Sequence, residues 1–557
     1  MSTSGTMSVR GYELHGDRMW NWAWVGKSLD VMEELGLNAL VFHRNDLLDL
    51  LVLPSSLFSV SEMLSRWPIR YHSMISTRHY LRRVISHAHA RGIAFYIQTK
   101  EISFADGLIE KVPQVRINGV LCATHPFWPA FLETKVQETL TALPELDGLI
   151  VSLGTHESKV SIAANACTCR RCLETSAVDW YASQIGSMHG PLSAQNKTLA
   201  VRDFSFGRSG RDAIVAGATA VSTDIVVSLK NTPHDFFPTF PTNDRIGKVG
   251  AHPQWVEFDV WGEFFGMGVF PCMIVDDLKQ RLDHCRESGV TGVITRTGGE
   301  TIANTGVLDT LNQVNLRGFS ALAQNATAET TAVLENFLLG PVTTVFADGG
   351  SDTEFSLADY PHTRAAVSDA FIHSWAVIAG AIFMQGHVFH EDCMFPDSIA
   401  HAYQVMTEVH SLTQWRPESQ DALDLRRSGT LERILAEKDA ACDQARRIRS
   451  AVSTALSQEK PPEAIRSQLE QTFDLQVWYV DGFRVCARAC LKTQVHLNLG
   501  TPMTLDDARG ALLDLVRFIA EIRSRLVETD YPAVVRYMLD VSRLEALARD
   551  VSIQLAQ

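Results

Sequence analysis

The stretch Asp224-Ile225-Val226-Val227-Ser228-Leu229-Lys230-Asn231-Thr232-Pro233-His234-Asp235-Phe236, read with Trp255-Val256-Glu257-Phe258-Asp259-Val260-Trp261-Gly262-Glu263, decides the fold. The first segment is a short β-branched run that breaks at Lys230. The second is an apolar run ending in Glu263, and a loop rich in Gly, Pro and Asn separates the two. Both runs are too apolar to be half exposed, which is the pattern of strands buried on both faces. Each is followed by a carboxylate, Asp235 and Glu263. In a parallel β/α barrel the C-terminal ends of all strands face one pocket, so carboxylates placed there converge.

Similar runs occur on both sides. Residues 10–14, 38–42, 94–98, 148–153, 199–204 and 289–296 read as strands, and helical patterns fall at 24–35, 78–91 and 127–143. Alternating strand and helix of this kind is the sequence form of a buried parallel sheet. No glycine fingerprint follows the first strand, so a doubly wound open sheet is disfavoured. After Asn312 the character changes. Windows rich in Ala, Leu, Glu and Arg, such as 431–456 and 505–526, carry apolar residues at three-to-four spacing, with turns at Pro461-Pro462 and Asp530-Tyr531-Pro532. The fold class expected is α/β: a (β/α)8 TIM barrel over residues 1–311, followed by an all-α C-terminal domain over 312–557.

Composition limits the partners. The chain has 557 residues, a formal net charge of −14 and no polar tail that gathers it. Such a surface repels nucleic acid and anionic membrane. The most apolar run, 376–384, is too short to span a bilayer. Residues 1–8 show no basic or apolar leader region, so a cytoplasmic protein with its ten cysteines reduced is expected.

Glu157, Asp235 and Glu263 follow the fourth, sixth and seventh strands. Glycoside hydrolysis by inversion needs one protonated carboxyl to protonate the leaving oxygen and one carboxylate to activate water on the opposite face of the sugar. Carboxyls on different strand ends leave room for that water.

The run Val227–Phe236, with Lys230-Asn231-Thr232-Pro233-His234-Asp235-Phe236 at its end, resembles the Lys-Asn-Gly-Pro-Ile-Asp-Phe motif of α-glucuronidases in glycoside hydrolase family 67. Glu257-Phe258-Asp259-Val260-Trp261-Gly262-Glu263-Phe264 is similar to that family's Glu-(Phe/Leu)-Gln-(Ile/Val)-Thr-Gln-Glu-Tyr segment, with the family's spacing between the two acids. Gly148–Val151 through Thr155-His156-Glu157 resembles the segment ending in its general acid, and Val290–Val293 with Thr297-Gly298-Gly299 its eighth strand. The resemblance spans residues 38–299 and implies an inverting, exo-acting glycosidase with Glu157 as general acid and Asp235 and Glu263 acting on water. Two departures bear on the substrate. There is no room before Val9 for the family's β-sandwich, and Leu153 stands where the family's pocket has a Lys that meets the uronate. Loss of that cation weakens uronate recognition, and Arg202 is the basic residue left to read an acidic group or a hydroxyl.

By position at strand ends, His15, Arg44, Asn45, Lys100, Glu101, Arg202, Lys230, Asn231 and Arg296 are candidate sugar contacts, and Trp261 is the aromatic expected to stack in the pocket. Cys167-Thr168-Cys169-Arg170-Arg171-Cys172 has the spacing of thiolates sharing a metal, but a fourth ligand, His156 or a distant cysteine, would have to complete it. A similar triplet follows strand four in other glycosidase-like barrels, where it looks structural. His387, His390, Glu391 and Asp392 form a cluster with metal-ligand types, read rather as a helix cap or as side chains against the barrel mouth. No metal or cofactor is therefore expected. The reading is a glycosidase acting on a small carbohydrate, α-glucuronidase-like in its chemistry, and a homo-oligomer through its helical domain. The competing readings are a metal-dependent barrel isomerase or lyase and a non-catalytic carbohydrate-binding protein.

Overall fold

A computed structural model describes residues 6–154, 157–204, 208–300, 302, 305–347 and 354–556. Eight parallel strands close into a barrel: β1 (Val9–His15), β2 (Ala39–His43), β3 (Ala94–Lys100), β4 (Gly148–Ser152), β5 (Thr198–Arg202), β6 (Val226–Lys230), β7 (Gln254–Asp259) and β8 (Gly292–Arg296). Each pairs with the next in order, and β8 returns to β1 with Val9 opposite Gly292. The strands are those expected from the sequence. Their helices are α1 (Trp22–Glu34), α2 (Pro68–His89), α3 (Phe127–Ala142), α4 (Ala177–Ser193), α5 (Arg208–Val221), α6 (Val275–Glu287) and α7 (Gln313–Gln324). The helix before β3 starts at Pro68 rather than 78, because proline at the first helical position has no N–H to leave unpaired.

The β6–β7 connection is a loop rather than a helix. Arg281 of α6 holds it from beneath, its Nη2 donating to the carbonyls of Pro238 and Phe240 at 3.1 and 2.9 Å. The expected division at 311/312 falls just before α7, which packs on α6, and whose Gln324 side chain donates to Leu35 O at 2.8 Å.

Side chains alternate across a strand, so the inward set recurs every second residue. The lower inward layer is apolar: Ala39, Val41, Tyr96, Ile150, Ala200, Val226, Trp255 and Ile294 form one cluster. Gly11 belongs to this layer. A Cβ there would lie 2.8 Å from Ile294 Cγ1, so glycine makes room for the isoleucine. Two residues further along each strand the layer turns polar, with Glu13, His43, Gln98, Ser152, Arg202, Ser228, Glu257 and Arg296. This switch in one repeat separates a packed floor from a charged mouth.

The second region is helical, with α8 (Thr330–Leu339), α9 (Pro361–Ile382), α10 (Thr430–Glu459), α11 (Glu463–Leu499), α12 (Pro502–Glu528) and α13 (Val541–Gln554). Helices α9 to α12 pack in succession. By length and composition α9 could cross a membrane, being longer than the apolar run 376–384 alone; here Phe371, Val377, Ile378 and Ile382 are buried as it packs on α10 and α11. The region docks on the mouth side of the barrel. Cys393 Sγ donates to Glu263 O at 3.2 Å, Tyr479 Oη donates to Cys393 O at 2.7 Å, and His410 meets His234.

Candidate active site

Each of the three candidate catalytic carboxylates lies against a cation from a strand end. Lys100, at the end of β3, donates to Glu157; Lys230, at the end of β6, donates to Asp235; Arg296, at the end of β8, donates through Nη1 to Glu263. Six of the expected residues are thus brought together in three pairs. Thr155 and His156, which precede Glu157, lie outside the described residues.

The three pairs differ in surroundings. Glu157 has a side chain 39% exposed, whereas those of Asp235 and Glu263 are 12% and 9% exposed. Asp235 has φ +46°, a left-handed conformation that Asp and Asn tolerate better than most residues. Burial opposes its charge, but the Lys230 ammonium that donates to it holds its carboxyl well below the usual range. Glu263 goes the other way. Burial, reinforced by Asp259, Asp392 and Asp235, outweighs the Arg296 guanidinium and pushes its carboxyl up to about 8. Its position is set by Asp259 at the end of β7, whose carboxylate accepts from the backbone N–H of Trp261, Gly262 and Glu263 at 2.9, 2.9 and 2.8 Å.

Beneath the pairs, most of the polar layer bonds within itself. Arg202 donates from Nε to Glu257 Oε1 at 2.8 Å, from Nη2 to Glu257 Oε2 at 2.5 Å and from Nη1 to Ser152 Oγ at 3.1 Å. It is therefore committed to the barrel interior and is not the free cation expected for an acidic sugar. His43 Nδ1 lies 2.9 Å from both Glu13 Oε1 and Gln98 Nε2, and the His43 ring stacks on His15 at 4.0 Å. His15 Nδ1 in turn lies 2.5 Å from Arg296 Nη2. Phe204, two residues past Arg202 on the mouth side, has Lys230 Nζ at 3.9 Å and Lys100 Nζ at 5.5 Å from its ring centre.

Two expected contacts are placed elsewhere. Trp261 is fully buried in the core, and Gly299 lies so close that a Cβ there would meet its ring at 2.5 Å, so it cannot stack on a sugar. Glu101 turns behind β3 into a buried network with Lys135 at 3.0 Å, which also reaches Asp49 at 3.0 Å. Leu153 is likewise core. His15, Arg44 and Asn45 line a cavity of about 210 Å³ with Asp17, His43, Asp46 and Glu300. Larger hollows of about 530 to 560 Å³ lie on the helical surfaces, away from the strand ends. Asn45 Oδ1, Asn231 Oδ1 and His43 Nε2 are buried atoms with no hydrogen-bond partner among the described residues.

Sequence reading missed Glu13, His43 and Glu257, although their place two residues past an apolar inward position on each strand would have found them. It also missed His410, which arrives from the helical region and carries no local signal. The histidine cluster at 387–392 does lie near the mouth: His390 is buried 6.2 Å from the Phe237 ring.

Two groups at the mouth have metal-ligand types within 4.8 Å of one another, Glu13/His15/His43 and His234/Asp235/His410. In the first, the Arg296 guanidinium beside His15 opposes a second cation. In the second, His234 Nε2 and His410 Nδ1 are hydrogen-bonded at 2.8 Å, a bond a shared ion would have to break.

No protein-family model and no curated protein matches the chain, so membership of family 67 is not shown. Solved structures do match. A GH138 enzyme targeting pectin rhamnogalacturonan II superposes with a TM-score of 0.63 at 11% identity, over 99% of this chain and 67% of that one. An O-GlcNAc hydrolase mutant of Thermobaculum terrenum gives 0.41 at 12% identity over 99% and 94%. A GH20 exo-β-N-acetylglucosaminidase of Vibrio harveyi gives 0.40 at 13% over 59% and 56%. At these identities the first match establishes a shared fold, a TIM barrel with a helical region after it; the other two are too loose to argue from.

Proposed function

We infer that the protein is a glycoside hydrolase whose chemistry is carried by Glu157, Asp235 and Glu263. The observation that carries this reading is the opposite treatment of two neighbouring carboxyls at the barrel mouth: Asp235 is held ionised while Glu263 is pushed up to about 8. Carboxyls driven apart in this way supply an acid and a base at the same pH. The fold shared with a GH138 enzyme supports the same class. Asp235 and Glu263 act on the water, Asp235 as its base and Glu263 as the protonated carboxyl beside it, and Glu157, the more exposed of the three, is the proton donor to the leaving group, as the family 67 resemblance implies.

The raised carboxyl of Glu263 favours a second assignment, in which Glu263 is the donor and Glu157 positions Lys100. The sugar is small and bound exo-wise, its hydroxyls met by Asn45, Asn231 and His43. Arg44, 40% exposed at the rim and held by Asp46, is the most open cation among the expected contacts for an acidic substituent. An inverting outcome, a cytoplasmic setting and a homo-oligomer belong to the same reading.

A hydrolysis screen over α- and β-linked glycosides and uronides tests it, with Glu157→Gln, Asp235→Asn and Glu263→Gln beside the wild type. The true donor variant loses natural substrates by about 100- to 10,000-fold and keeps substrates with activated leaving groups. Product anomers read by NMR at early times decide inversion. Turnover of no glycoside, or turnover untouched by all three substitutions, would sink the reading.

A further inference from the structure

The sequence leaves the Cys167/Cys169/Cys172 triplet short of a ligand. The fold supplies one. Cys122, which directly follows a two-stranded hairpin (Arg116–Ile117 with Val120–Leu121) in the β3–α3 loop, is brought against the triplet in the β4–α4 loop. Its Sγ lies 3.7 Å from Cys169 Sγ and 3.5 Å from Cys172 Sγ, and the four sulfurs all lie within 4.8 Å of one another. These separations exclude a disulfide, whose sulfurs stand about 2.05 Å apart. They match a tetrahedral ion instead: Zn–S bonds of about 2.3 Å put the sulfurs about 3.8 Å from each other.

The surroundings are built to hold the thiols. Trp128 Nε1 donates to Cys122 O at 2.8 Å, and Trp180 Nε1 donates to Ala123 O at 2.8 Å, fixing the first loop on α3 and α4. Asn165 bridges the two loops: its Oδ1 accepts from Cys167 N at 3.2 Å and from Ala123 N at 3.5 Å. Cys122 and Cys167 are buried, while Cys169 and Cys172 are partly exposed, which leaves a route for an ion to enter. The remaining six cysteines are all buried elsewhere as single core thiols.

We propose that Cys122, Cys167, Cys169 and Cys172 bind one structural zinc ion that clamps the loops following β3 and β4. Four protein ligands close the coordination sphere and leave no open position for a substrate, so the ion's role is structural. Deprotonation of the thiols accompanies binding, the protons passing to solvent. The same β4–α4 loop carries Glu157 at its start, where Ser158 Oγ donates to Glu101 O at 2.7 Å. The clamp adds to the tethers of that loop, among them Lys159 Nζ donating to Phe104 O at 2.7 Å.

The full chain, purified without chelator and gel-filtered after incubation with zinc, should carry one zinc per chain by plasma mass spectrometry. A mercurial thiol reagent should release it, and Co(II) exchanged into the site should show the thiolate charge-transfer and intense visible bands of a tetrahedral centre. Cys122→Ser and Cys172→Ser should each lower zinc retention, melt earlier and open the 157–172 loop to limited proteolysis. Cys285→Ser, outside the cluster, should keep its zinc. If a cluster variant does not fold, the wild-type metal content and cobalt spectrum still decide. Wild-type protein without bound zinc, stoichiometric iron in its place, cysteine pairs oxidised to disulfides in mass spectra, or zinc retained by both cluster variants would each overturn the proposal.

Discussion

At the scale of single residues, the site is governed by burial acting on charge. Glu263 takes its pKa from about 4.5 unfolded to about 8 folded, so between those values the native chain binds a proton that the unfolded chain has released. Stability should therefore fall as pH rises through that window and level off above it. Wild type and Glu263→Gln, melted from pH 5 to 9, should diverge: the wild-type curve declines, and the variant is flatter. Equal slopes would remove the electrostatic argument. Asp235 has the opposite sign, and its charge neutralises Lys230 throughout the neutral range. Asp235→Asn keeps the left-handed backbone, because Asn also tolerates it. It leaves a buried ammonium unpaired and should cost about 3–5 kcal/mol in denaturant unfolding.

At the scale of elements, two details of the strands set the mouth. Gly11 leaves space that Ile294 fills, so Gly11→Val should overpack the barrel floor by about 1–3 kcal/mol. Paired with Ile294→Ala it should recover part of that loss. A double-mutant cycle reads the coupling, and strict additivity would place the two side chains out of contact. Asp259 fixes the turn that presents Glu263 by accepting three backbone N–H groups. Asp259→Asn, with a single acceptor oxygen, should lower kcat more than it raises KM, because it loosens a catalytic carboxyl without touching the sugar. An unchanged kcat would mean that the turn holds itself.

At the scale of the whole molecule, the helical region is part of the mouth rather than an appendage. His410 reaches His234, and Asp392 adds to the field at Glu263. Burial lowers His234 to about 4 and lowers His410 as well, so both rings are neutral in the folded chain. Their contribution is complete above about pH 6.5 and is lost as pH falls towards 4, because the unfolded chain binds the protons first. Acid should accordingly loosen the docking of the two regions before it unfolds either. Hydrogen-exchange protection factors at 231–240 and 405–412, corrected for the intrinsic rate at each pH, should fall between pH 6 and 4, and less so in a His234→Asn/His410→Asn double variant. Protection independent of pH would place the interface's stability in its phenylalanines alone.

The sequence alone determined the barrel, because strands buried on both faces must be continuously apolar and because eight such runs recur, most with a helical pattern between them. It determined the helical region for the same reason, apolar residues at helical spacing having only one face to bury. It also located Glu157, Asp235 and Glu263, since strand ends and carboxylates are both local features. Only the tertiary structure decided what surrounds each of them. Trp261 went to the core, Arg202 to Glu257 and Glu101 to Lys135, because a side chain's direction depends on the closed sheet rather than on its neighbours in the chain. Cys122 joined its three partners, and His410 reached His234 at the mouth, across separations no local pattern encodes. Burial is a property of the whole packed chain, and so is the electrostatic division between Asp235 and Glu263 that burial creates.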